Sequence, residues 1–301
     1  MKRRSLVKSA VIFSLGAAIA ACSGSGSQQA TTDRTPDTIK FAVTDVQGLE
    51  ELQRDYEPFR TAMEEATGKS IEFFPVADRT AAAVALQSDQ VDVVLTGPAE
   101  YVVIRSKTNA VPFVAITRPN YRSVIAVQPD SGIADVSGLT GKKVAMSDLG
   151  STSGQLGPTK ILVDGGINPE EDVEILLLGD TDLQAFKNGE TEAWGGSATD
   201  YERFLEAEGL TPDDLPLIET GPLLPSDVFV ASSTLSANYV ETLKQAMIEN
   251  QDLLVNAIIS VEANKKYTGS EVIEVQDSDY DSVREAYRAI GIDDFNEFVG
   301  D

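Results

Sequence analysis

Histidine is absent from this 301-residue chain, which excludes His-ligated metal centres and every catalytic triad built on an imidazole base. Cysteine occurs once, at Cys22, so no disulfide can close within the chain and dithiol chemistry has no second sulfur. Positive charge is scarce: 24 Lys and Arg stand against 48 Asp and Glu. A surface of that sign repels polyanions, which argues against nucleic acid as a partner, and an anionic ligand of any kind must be held by local donors rather than by the overall field. Long apolar runs are missing too. The most apolar stretch, residues 10–21, is shorter than the roughly 20 residues that a membrane-spanning helix needs.

What that stretch does have is a basic flank, Lys2, Arg3, Arg4 and Lys8, the pattern of an export signal. Ile19-Ala20-Ala21-Cys22 then sets small residues before the cysteine, and Ser23-Gly24-Ser25-Gly26-Ser27 follows. The segment resembles a bacterial lipoprotein signal, in which processing leaves the cysteine as a lipid-bearing N-terminus. That resemblance implies a signal peptide over 1–22, lipidation at Cys22, and a place in the periplasm or on the outer face of the cytoplasmic membrane. Residues 23–38 have the composition of a flexible tether, and the folded body is expected from near Ile39. Beyond Cys22 the chain keeps 20 of its Lys and Arg and all 48 acids, a formal charge of −28.

The body alternates strand and helix. Ile39-Lys40-Phe41-Ala42-Val43 reads as a strand, and Leu52, Tyr56, Phe59, Met63 and Ala66 fall at helical spacing before Gly68. Strands are expected at 71–76 and 91–95, with a helix over 80–88 between them. The rhythm repeats after 123–127: a strand at 142–146, a helix over 158–163, a strand at 173–178 and a helix over 181–188. A strand at 229–231 leads into helices near 237–250, 253–263 and 281–290. This is the β-α-β pattern of parallel sheets covered by helices. The expected division is one lobe from 39–124 and 229–301 and a second from 125–228, with small ligands binding in the cleft between them at the strand ends.

Ser151-Thr152-Ser153-Gly154 is the sharpest local feature. Three hydroxyls and free backbone N–H groups at a helix start can wrap a tetrahedral oxyanion; the same residues also make an ordinary serine-rich turn with one N-cap. Thr96-Gly97-Pro98-Ala99-Glu100-Tyr101 and Gly195-Gly196-Ser197-Ala198-Thr199-Asp200-Tyr201 both read as strand ends turning into helices, with or without a ligand. Arg79 can bring a guanidinium to an anion or lie solvated on the surface. Tyr121, before the first crossing strand, can lend its hydroxyl to a ligand or pack under a hinge. Asp227, before the returning strand, can face a ligand or accept turn N–H groups.

Taken in order, these residues resemble the phosphonate, phosphite and phosphate binding proteins of bacterial ABC importers, the PhnD-like family. Tyr56-Glu57-Pro58-Phe59, Gly68-Lys69-Ser70-Ile71-Glu72-Phe73, Asp78, Val91-Asp92-Val93, Gly97-Pro98, Tyr101 and Tyr121 carry the resemblance in the first half. Ser151-Thr152-Ser153-Gly154, Gly165-Gly166-Ile167, Tyr201-Glu202-Arg203 and Leu224-Pro225-Ser226-Asp227 carry it in the second. The resemblance implies an α/β, two-lobed periplasmic-binding-protein fold of type II with the ligand cleft between the lobes. It implies capture of a small phosphorus oxyanion for an ABC permease, with no reaction, no cofactor and no metal, by a monomer. Ser151, Thr152, Ser153, Tyr121, Asp227, Arg79, Asp180 and Ser197 are the expected ligand-binding residues. Two positions depart from the family pattern. Gly179, in Leu178-Gly179-Asp180, stands where the family often has histidine, and Arg79 stands where an aromatic residue usually follows Asp78. A guanidinium there suits a small, multiply oxygenated anion and disfavours a bulky tail. The competing readings are the same fold with another anionic solute, and an exported phosphoryl hydrolase, for which Ser151 lacks a histidine partner.

Overall fold

The computed structural model describes residues 33–298. The export segment, Cys22 and residues 23–32 lie outside the described residues. From Arg34 the chain is already bound to the body. Its guanidinium meets the buried Asp92 carboxylate at 2.6 Å, its N–H donates to the Thr234 carbonyl, and its carbonyl accepts from Ser236 N–H. Residues 33–38, expected in the tether, therefore belong to the folded part.

In chain order the strands are β1 (Thr38–Val43), β2 (Ser70–Phe73), β3 (Val93–Thr96), β4 (Val111–Ile116), β5 (Arg122–Val127), β6 (Lys143–Met146), β7 (Glu174–Leu177), β8 (Ala193–Ser197), β9 (Leu217–Leu223), β10 (Asp227–Ala231) and β11 (Val272–Glu274). They form two sheets, β11-β4-β10-β3-β1-β2 and β7-β6-β8-β5-β9. Each sheet holds a parallel triplet, β2-β1-β3 or β7-β6-β8, beside one antiparallel strand that arrives from the other sheet. That visitor is β10 in the first sheet and β5 in the second, and each lies inside its sheet, which is why both read as unbroken apolar runs.

The chain passes between the sheets through residues 117–121 and again through 224–226. These connections touch: Leu224 N–H donates to the Tyr121 carbonyl at 2.8 Å. The expected lobe boundaries at 124/125 and 228/229 are therefore corrected to just before Arg122 and just before Asp227, because β5 and β10 each belong whole to the sheet they enter.

Helices cover both faces of each sheet. α1 (Gly48–Thr67) is amphipathic as the spacing predicts and buries Leu52, Tyr56, Phe59 and Met63 against the first sheet before Gly68 ends it in a left-handed conformation. α2 (Ala81–Gln87) and α3 (Pro98–Thr108) pack on the opposite face with Tyr101, Val102 and Ile104 buried. α4 (Gly157–Asp164), α5 (Asp182–Lys187) and α6 (Ala198–Glu208) flank the second sheet. α7 (Ala237–Glu249), α8 (Gln251–Ile258) and α9 (Asp281–Ala289) return to the first. Strand β4, which the sequence reading passes over, carries Pro112. The pairing with β10 shifts register there, Phe229 facing Val114 and Val230 facing Pro112, so a bulge absorbs the missing N–H.

Candidate ligand-binding site

The carboxyl ends of β1, β3, β6 and β8 all open onto one cavity of about 360 Å3 between the two sheets, where open α/β sheets place their ligands. Arg79, Tyr121, Ser151, Thr152, Ser153, Asp180, Ser197 and Asp227 all line it. The structure thus brings the eight expected residues to one place, although it gives several of them work of another kind.

The three hydroxyls sit on a wide turn. Ser151 C=O accepts from both Gln155 N–H and Leu156 N–H, so Thr152–Leu156 winds as a single π-helical turn ahead of α4, a widening that recurs at functional sites. Ser151 Oγ accepts from Gly154 N–H at 3.2 Å and is the N-cap of this turn. Thr152 Oγ1 accepts from Ala99 N–H of α3 at 2.8 Å, joining the two lobes, and lies 3.5 Å from Glu100 Oε2. Ser153 is the hydroxyl nearest the expected role: it lies in hydrogen-bond reach of the Tyr121 hydroxyl, whose ring is buried beneath the Arg118 guanidinium at 3.7 Å.

Arg79 is engaged on three sides. Nη1 meets Asp45 at 2.6 Å and Glu100 at 3.1 Å, and Nε stands 3.5 Å from Asp148 of the other lobe. Desolvation works against the Asp45 carboxylate, but Lys266 and Arg79 outweigh it and hold Asp45 below the usual carboxylate range. Burial pushes the Glu100 carboxyl up, with Arg79 opposing it in part. Gly179 has φ +55, and a Cβ there would stand 2.8 Å from Asp148 Oδ1. The two departures from the family pattern, Arg79 and Gly179, therefore meet at one carboxylate.

Asp227 begins β10 and is 5% exposed. Its Oδ2 accepts from the Tyr267 hydroxyl at 2.7 Å and faces Arg118 Nη1 at 3.6 Å, while its Oδ1 is buried without a partner among the described residues. Ser197 caps α6 by accepting from Asp200 N–H at 3.4 Å. Asp180 stands exposed at the rim, raised by partial burial and then by Asp148. The deeper acid is Asp182, whose carboxyl burial pushes up to about 6, against the Trp194 indole and Leu183 N–H, which favour its charge. Trp194 also explains Gly196, since a side chain there would overlap its indole ring, while a Cβ at Gly195 would stand 2.6 Å from the Pro158 side chain.

Sequence reasoning missed Arg118, Asp45, Asp182, Trp194 and Lys266. Three of these had a readable position: Arg118 lies three residues before Tyr121 on the first crossing, Asp45 lies two residues after β1, and Asp182 opens α5. Lining the cavity are eight carboxylates and five Lys or Arg, so it is no electropositive funnel. Among the described residues no cluster of three His, Cys, Asp or Glu is arranged to hold a metal ion.

Two sheets joined by two short connections, with a polar cavity at the strand ends between them, have the architecture of a type II periplasmic solute-binding protein. Comparison with known proteins gives the family. Residues 41–285 match the family model described as the periplasmic substrate-binding protein of phosphonate ABC transporters, and the chain belongs to that family. It is 27% identical to the phosphate-import protein PhnD of Mycolicibacterium smegmatis over 292 residues, 88% of this chain and 89% of that one. Two solved structures share its fold. PhnD1 of Prochlorococcus marinus in complex with methylphosphonate has a TM-score of 0.67 at 17% identity, covering 84% of this chain and 97% of that one. A binding protein component of an ABC phosphonate transporter from Pseudomonas aeruginosa has a TM-score of 0.68 at 19% identity, covering 83% and 85%.

Proposed function

We propose that the protein captures a small phosphorus oxyanion, phosphite, phosphate or a phosphonate, outside the cytoplasmic membrane and delivers it to an ABC permease. The observation that carries this reading is the convergence on one interlobe cavity of the Ser151–Ser153 turn, Tyr121 and Asp227 in a chain of this family. Arg79 contributes by holding the walls of the cavity through Asp45, Glu100 and Asp148. A cavity of about 360 Å3 holds roughly twelve water volumes, whereas phosphate has five heavy atoms, so there is room for an organic substituent as well. Size alone does not confine the ligand to the smallest anions, as Arg79 suggested from sequence.

The protein is read as a monomeric binder without a reaction, as befits the substrate-binding protein of a transporter. It is held to the membrane through lipid on Cys22. Calorimetric competition among phosphite, phosphate, methylphosphonate, an aminoalkyl phosphonate, sulfate and an alkanesulfonate tests the ligand class. Tightest binding by a phosphorus compound is expected, and preference for a sulfur anion would assign the cleft to another solute. For the anchor, Cys22→Ser should move the protein from the membrane to the soluble fraction of cells; an unchanged distribution removes the lipid from the account.

A further inference from the structure

We propose that Arg118 is a ligand-binding residue and that Arg118 and Asp227 act as one matched pair, reading a single O–P–OH edge of the ligand. The inference rests on the phosphorus-oxyanion reading above and adds a residue and a protonation state to it. Arg118 stands on the first connection between the lobes and Asp227 ends the second, so each crossing contributes one partner to the floor of the cavity. Both side chains are 7% exposed. Arg118 Nη1 and Asp227 Oδ2 face each other at 3.6 Å, too long for a hydrogen bond, and each residue keeps a buried polar atom that nothing among the described residues satisfies: Arg118 Nε and Asp227 Oδ1.

Both residues line the cavity, one with an unmet donor and the other with an unmet acceptor, and together they make a complementary footprint. Sulfate offers acceptors only and leaves the Asp227 carboxylate facing a second negative charge. A hydrogen phosphate, phosphite or phosphonate monoanion offers both, a bare oxygen for the guanidinium N–H and a hydroxyl for the carboxylate. Two carboxylate-facing negative charges in a water-poor site are disfavoured strongly enough to select the protonated ligand. The surroundings keep the pair in place. Tyr267 donates to Asp227 Oδ2 and Tyr121 lies flat under Arg118. Tyr56, Tyr280 and Glu100 are the other ionisable groups that bear on Asp227, from α1, the turn before α9, and α3.

Calorimetry with methylphosphonate and with sulfate from about pH 5 to 9 is the test, on wild type, Arg118→Gln, Arg118→Lys, Asp227→Asn and the double variant Arg118→Gln/Asp227→Asn. Wild-type affinity for methylphosphonate should fall as pH rises through the ligand's second ionisation. Arg118→Gln should weaken methylphosphonate by about 10- to 100-fold and keep that pH profile, because the proton is read by Asp227. Asp227→Asn should flatten the profile and narrow the preference over sulfate. The double variant should lose less than the product of the single losses, since both residues meet one edge. Where Arg118→Gln does not fold, as judged by circular dichroism, Arg118→Lys decides: it keeps the charge, lacks Nε, and should bind about tenfold more weakly. A flat wild-type profile, unchanged affinity in a folded Arg118 variant, or strictly multiplicative losses would overturn the matched pair. If wild type binds no phosphorus oxyanion at all, the fault lies with the functional reading itself.

Discussion

At Asp182 the chain tolerates a carboxyl that burial pushes up to about 6, well above the ordinary value of 3.8. The folded state therefore binds this proton more tightly than the unfolded state, so the group lowers stability as pH rises from about 4 to about 6. Asp182→Asn keeps an oxygen for Leu183 N–H and removes the charge. The ligand-free variant should match wild type below about pH 4 and exceed it by roughly 1–3 kcal/mol above pH 7, measured by urea unfolding at both values. An equal margin at both pH values would show that the gain is unrelated to ionisation. Thr152 gives a second expectation at this scale. Its hydroxyl is the acceptor for Ala99 N–H across the cleft, so Thr152→Val leaves a buried donor unmet. Thermal unfolding and calorimetry should register a loss of about 1–3 kcal/mol in stability, affinity or both, and Thr152→Ser should restore it. If Val and Ser behave alike, the hydroxyl is idle.

Elements that turn toward the ligand were the hardest to read in advance. The long helices and the strands of the parallel triplets were legible because α1 has a single apolar face and β1 and β3 are short buried runs bounded by turns. The strand β8 was less so: only its end was read, as Gly195-Gly196 turning into a helix, and the glycines follow from contacts the sequence does not show, Pro158 at Gly195 and the Trp194 indole at Gly196. The Ser151 turn was legible as a feature of the cavity wall but not in its division of labour. Sequence spacing cannot tell that Ser151 caps, Thr152 bridges the lobes and Ser153 faces Tyr121, since those roles follow from a π-helical turn and from α3 arriving from the other lobe. Arg79 shows the same limit. A guanidinium was foreseeable in the cleft, whereas its three carboxylate partners come from separate elements. Gly179 completes that arrangement. Gly179→Ala should cost roughly 1–2 kcal/mol for its left-handed backbone, and its Cβ should also push Asp148 away from Arg79. Thermal unfolding should show the loss, and Asp148→Ala in the same background should add less than it does alone. Full additivity would separate Gly179 from the Arg79–Asp148 contact.

The whole molecule opposes its own ligand electrostatically. With 48 Asp and Glu against 24 Lys and Arg, and carboxylates in the majority around the cavity, the approach of an anion is repelled rather than steered. Salt should therefore speed association: stopped-flow rates for methylphosphonate should rise as ionic strength increases from about 0.01 to 0.15 M, as the Debye length shrinks from roughly 30 to 8 Å. A rate that falls with salt would mean that the positive groups at the cavity mouth dominate. What holds the ligand after arrival is local, and that is the central claim: a phosphorus oxyanion sits between the two sheets with its oxygens on Ser153, Arg118 and Asp227. The most direct measurement is a crystal structure of the protein grown with saturating methylphosphonate. The account predicts the phosphonyl group in the interlobe cavity, its oxygens within hydrogen-bond distance of those three side chains and its methyl group directed away from the Ser151–Ser153 turn. A cavity left empty at saturation, or a ligand bound with its methyl group against the hydroxyls, would contradict it.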